Sequence, residues 1–108
     1  MAADGRLVLD GELTIRTIEA LQTKLRDLVA EHACATIDAS GATQVDVSFV
    51  QLVLAARRSA AAAGKTIALA APASGALRDA LVRGGFVSPV AGQNRPSDAW
   101  WLTEARMS

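Results

Sequence analysis

Chemistry-bearing side chains are scarce in this 108-residue chain, which has one cysteine, one histidine and no net charge. The lone Cys34 rules out an internal disulfide and any multi-cysteine metal site. Its apolar-leaning neighbours are those of a buried, inert thiol. Nucleophilic catalysis of the Ser-His-Asp kind needs an imidazole beside the nucleophile. His32 lies two residues before Cys34, across a helix end and a strand start, and that spacing does not make a Cys-His dyad. One His and one Cys do not fill a zinc site without several carboxylates, so no metal or cofactor is expected. Gly84-Gly85 follows a helical pattern, whereas a dinucleotide loop lies after a strand and before a helix. These absences argue against an enzyme.

Charge of one sign is missing as well. Eleven basic and eleven acidic residues are mixed along the chain. Nucleic-acid binders carry a basic stripe, and none is present. Arg57 and Arg58 are adjacent, so they diverge on a helix; the Arg57 stem is expected along the sheet edge with its head group in water. No apolar run approaches the ~18 residues that span a bilayer. Met1-Ala2-Ala3-Asp4-Gly5 has neither a basic nor an apolar leader region, so the expected location is the reducing cytoplasm. What is present suffices for folding: 51% hydrophobic and 20% charged residues exclude intrinsic disorder. The length predicts one domain over 1–108 with one core, its body near 5–88, a loop over 89–98 and a short helix over 99–106.

Periodicity supplies the elements. Leu7-Val8-Leu9, Asp10-Gly11 and Glu12-Leu13 read as strand, tight turn and returning strand. Thr14 offers a capping hydroxyl, and Ile15, Ile18, Leu21, Leu25, Leu28 and Val29 recur at helical spacing over 15–31. Ala33 to Ile37 reads as a buried strand and Asp38 to Gln44 as a loop of small and polar residues. A helix follows from Asp46 to Ala63, stopped by Gly64. Thr66 to Ala70 is a strand ended by Pro72, and Ser74 opens a helix over 76–83 closed by Gly84-Gly85. Phe86-Val87 reads as a last short strand. The fold class is α/β: a small mixed sheet with an opening hairpin, then mostly parallel strands, packed with about four helices.

The stretch Ile37-Asp38-Ala39-Ser40 through Val45-Asp46-Val47-Ser48-Phe49-Val50-Gln51-Leu52-Val53-Leu54 resembles the STAS domain, the family of bacterial anti-sigma factor antagonists and their relatives. Gly64-Lys65-Thr66 through Gly84-Gly85-Phe86 does so too. The resemblance covers about 5–88. It implies a non-catalytic domain that binds a protein: an anti-sigma factor or kinase, a signalling or chemotaxis component, or the ATPase of a lipid-transport complex. A nucleotide- or small-molecule-sensing module is the alternative. In the family an acidic residue precedes a phosphorylatable Ser or Thr at the helix start. Asp46 matches the acid, Val47 stands in the acceptor's slot, Phe49 stands where Gly is usual, and Ser48 alone keeps a hydroxyl. Valine cannot accept phosphate. A constitutive binder, a domain regulated through Ser48 and a domain controlled through its partner remain as readings.

Helical geometry gives a candidate surface independently. At about 100° per residue, Ser48, Gln51, Leu52, Ala55, Ser59 and Ala62 share one side, with Val50, Val53, Leu54 and Ala61 on the core side. Phe49 falls beside Leu52 and Ala56 on the exposed flank. The expected partner-binding residues are therefore Asp46, Val47, Ser48, Phe49, Gln51, Leu52 and Ala55, with Ser48 the candidate phosphorylation site; alternatively, another helix covers Phe49 and Leu52. Trp100 and Trp101 diverge by the same angle. They read as a tail stapled to the core, or as a hot spot for a partner or a second copy.

Overall fold

The computed structural model describes residues 4–88 and 99–102. Three strands, β1 (Asp4–Leu13), β2 (Cys34–Val45) and β3 (Thr66–Leu69), form one parallel sheet in the order β1-β2-β3. The helices α1 (Ile18–Glu31) and α2 (Val47–Ala62) make the two crossovers, and α3 (Gly75–Arg83) and α4 (Ala99–Leu102) follow β3.

The opening hairpin expected from Asp10-Gly11 is absent, and β1 is continuous through that pair. A glycine at positive φ suits a bulge as well as a turn, and Gly11, at φ 71°, serves a bulged ladder. The ladder shifts register after Val8 and after Gly11, because the 12 residues of β2 oppose the 10 of β1. The same shifts explain the loop expected over Asp38 to Gln44. Ser40, Gly41, Thr43 and Gln44 look loop-like because they are exposed, yet they belong to β2 and carry its extra residues.

Strand alternation builds the core. Gly5, Ala35 and Ile67 share one register level, and Leu7, Ile37 and Leu69 the next. All of these but the half-buried Leu7 are buried. Leu21, Leu25 and Leu28 of α1, Phe49, Val50, Val53 and Ala60 of α2, and Leu77, Ala80 and Leu81 of α3 complete it.

Helix ends are closed locally. Gly64, at φ 73°, follows α2, where an L side chain would be strained. The Lys65 ammonium donates to the Val29 carbonyl at 2.6 Å and the Ala30 carbonyl at 3.2 Å, completing the last turn of α1. Phe86 and Val87 are no strand. The Phe86 amide donates to the Leu81 carbonyl at 2.8 Å, so these residues fold back to close α3.

The tail is fastened at the β3 edge. The Trp100 indole N–H donates to the Ile67 carbonyl at 2.8 Å, and the Ala73 amide donates to the Trp101 carbonyl at 2.7 Å. The two indoles meet edge to face at 4.8 Å, and Trp101 is buried. The Arg57 guanidinium lies 4.4 Å over the Trp100 ring rather than out in water, and burial draws it below its usual value. The loop expected over 89–98 and the helix continuation over 103–106 lie outside the described residues.

Gly5 is required by a close approach. A Cβ there would overlap the His32 imidazole that packs against the start of β1. Gly5→Ala is expected to lower the unfolding free energy by about 1–3 kcal/mol in urea titration. A Gly5→Ala, His32→Ala double variant should lose less than the two single losses added together.

Candidate protein-interaction site

The site is built where β1 and β2 end. Asp46 sits between β2 and α2 as the N-cap of the helix. Its amide donates to the Leu13 carbonyl at 3.3 Å, holding it beside the end of β1. One carboxylate oxygen accepts from the Ser48 amide at 3.0 Å and the other from the Ile15 amide at 2.9 Å. The carboxylate thus satisfies an orphan donor of α2 and favours the positive end of its dipole. It also fixes the turn that precedes α1.

That turn has its own chemistry. The Thr14 amide donates to the Thr17 hydroxyl, the Thr17 amide to the Thr14 carbonyl, and the Arg16 amide to the Thr14 hydroxyl, at 2.9–3.2 Å. Thr17 in turn donates to the Glu12 carbonyl at 3.0 Å. These local bonds compete with helix and delay α1 until Ile18. Ile15, expected on the apolar face of α1, is instead 62% exposed. On the other side of Asp46, Val47 is 46% exposed in the first turn of α2.

The rest of the face divides. Gln51 and Ala55 are exposed, and Asp46, Ser48 and Leu52 are half-buried. Phe49 corrects the expectation of an exposed aromatic patch: its side chain is 1% exposed and among the largest fully buried groups. The inner face of α2 is centred on Val53, between Phe49 and Val50, roughly 60° round the helix from the centre read in the sequence. Leu52 and Ala56 look towards α1, where with Ala55, Ser59, Leu25 and Val29 they line a groove of about 230 Å³.

Two contributors escaped the sequence reading. Ile15 is one; its signal was the pair of threonines three residues apart that flank it. Arg83 is the other: from the end of α3 it donates to the Val45 carbonyl at 3.3 Å, one residue before Asp46. Nothing local in the sequence marks that contact. His32 and Cys34 contribute no site here. His32 packs on Gly5, and Cys34 is an exposed free thiol at the start of β2, not the buried one its neighbours suggested.

A parallel sheet with helical crossovers and a capped, half-exposed helix start at the strand ends defines a small α/β fold. The family model described as "Mlab, STAS domain" matches residues 2–87, and the chain belongs to the STAS domain family. No curated protein matches. Among solved structures, the anti-sigma factor antagonist SpoIIAA in its unphosphorylated form shares the fold at a TM-score of 0.59 and 21% identity, over 73% of this chain and 74% of that one. The crystal structure of Mglu does so at a TM-score of 0.54 and 21% identity, over 62% of this chain; the match spans only 17% of the Mglu chain. Among the described residues no helix is long and apolar enough to cross a membrane.

Asn has one acceptor oxygen where Asp has two, so it cannot serve both the Ile15 and Ser48 amides. Asp46→Ala is expected to cost about 1–2 kcal/mol and Asp46→Asn a smaller amount in denaturant unfolding.

Proposed function

We propose that this domain is a non-catalytic, cytoplasmic protein-binding module that acts by occupying a partner, as an anti-sigma factor antagonist does. Its contact surface is the start of α2 together with the turn before α1. One observation carries the reading. Asp46 spends its carboxylate inside the protein, on Ile15 and Ser48, and leaves Ile15 and Val47 exposed on either side of it. Ile15, Val47 and Val8 are the large exposed hydrophobics among the described residues, so two of the three flank a single N-cap. Apolar groups set against polar neighbours are how a protein-binding patch is composed.

Asp46, Val47, Ser48, Gln51 and Ala55 then form the contact face with Ile15, and Leu52 marks its border. Phe49 supports the face from beneath. Binding is constitutive in this reading. Val47 has no hydroxyl, and a phosphate on Ser48 would meet the Asp46 carboxylate, which already takes the Ser48 amide. The partner is a protein of the anti-sigma factor or kinase type, a signalling component, or a transporter ATPase.

Ile15→Asp and Val47→Lys place opposite charges on the patch, so loss with both is not an effect of charge sign. In capture from the native host, each is expected to reduce retention of the specific partner at least about tenfold, with circular-dichroism melts unchanged. Retention of every specific partner by both variants contradicts the interface. A stoichiometric phosphate on Ser48, read by intact mass, contradicts constitutive binding.

A further inference from the structure

β1 lies at the edge of the sheet, and among the described residues nothing bonds to its outer edge between Gly5 and Gly11. Exposed edges pair with other strands unless they are blocked. The side chains on this one alternate strictly. Leu7 and Leu9 turn towards the core, and Arg6, Val8 and Asp10 turn outward. Val8 is 58% exposed and the Arg6 side chain 59%. The outward order is therefore positive, apolar, negative, with Val8 at its centre.

That order is complementary to its own reverse. Two copies laid antiparallel with Val8 on the two-fold axis place each Arg6 opposite the other's Asp10. Val8 then meets Val8, and Leu7 lies opposite Leu9 on the inner face. Opposite charges and apolar side chains directly across an antiparallel pair stabilise it. A parallel pairing would set Arg6 against Arg6 and Asp10 against Asp10, and a two-residue slip would replace the Val8–Val8 contact by Val8 against Arg6 in one direction or Val8 against Asp10 in the other. We infer that β1 is a self-association edge, through which two copies of this chain join antiparallel about Val8 into one six-stranded sheet.

Neighbouring features fit this occupant. A groove of about 180 Å³ lies between β1 and α1, lined by Val8, Asp10, Glu12, Thr17, Ala20 and Lys24, and it leaves room beside the edge. Arg6 is already oriented by Asp38, whose carboxylate it reaches at 2.9 Å. The Ser40 hydroxyl and amide both donate to Asp38 and hold its carboxyl below the usual range, so Arg6 would sit between two carboxylates. Pairing stops at Gly11, whose positive φ leaves the extended region, and the next carbonyl, of Glu12, is taken by Thr17. At the far edge of the sheet Trp100 takes the Ile67 carbonyl. Among the described residues each copy thus offers one open edge, and the assembly closes as a symmetric dimer instead of growing into a fibre.

Sedimentation velocity of the purified chain, up to about 0.5 mM, tests this without any other protein. The wild type is expected to dimerise with concentration. Val8→Lys and Asp10→Arg, both at exposed positions, should each raise the dimer dissociation constant at least about tenfold while melting as the wild type does. Val8→Cys in a Cys34→Ser background should form a disulfide-linked dimer far faster than Thr43→Cys in the same background, a readout that does not depend on either charge variant folding. A wild type that stays monomeric overturns the inference. So does a dimer that both charge variants leave intact, or Val8→Cys cross-linking no faster than Thr43→Cys.

Discussion

Two backbone amides, of Ile15 and of Ser48, far apart in the sequence, share the carboxylate of Asp46. Everything the candidate site offers depends on that arrangement. Without it the Thr14–Thr17 turn would rest only on its own threonine bonds, and α2 would begin with an unsatisfied donor. With it, the ends of β1 and β2 and the starts of α1 and α2 become one surface. The site also lies where physical reasoning places ligands on parallel sheets, at the carboxyl ends of the strands. A protein patch at that position needs rigidity rather than a cavity, and a doubly bonded N-cap provides it.

Much of this was legible before any coordinates. Leu21, Leu25 and Leu28 mark the buried stripe of α1 by spacing alone. Asp46 and Gly64 bound α2 because one is a good cap and the other tolerates positive φ. The STAS resemblance rested on the same stretch, and the family match bears it out. The errors also have identifiable causes. Asp10-Gly11 reads as a turn because a bulge uses the same glycine conformation, and only the length of the facing strand distinguishes the two. The second helix is rich in alanine, so its pattern marks no single inner face, and the volume of Phe49 decides which side turns inward. The exposure of Ile15 depended on threonine hydroxyls outcompeting a helical turn, which a hydrophobic period does not report.

Contacts formed by the tail were out of reach for a different reason. Arg57 over Trp100, and Trp100 on the Ile67 carbonyl, join residues that no local pattern links. They place the tail against the β3 edge, and among the described residues β1 is the open one. The self-association edge over Gly5–Gly11 ends before Ile15 begins, so a dimer through β1 leaves the Ile15–Val47 surface available. Such a dimer would present two partner-binding surfaces and gain from bivalency wherever the partner is itself paired.

Amide hydrogen exchange of the domain, alone and bound to the partner captured from its host, addresses the central claim most directly. The account predicts that binding slows exchange at Ile15 to Thr17 and at Val47 to Gln51, with little change along β1 from Gly5 to Gly11. Protection confined to the groove between α1 and α2, with the amides around Asp46 unaffected, would contradict it.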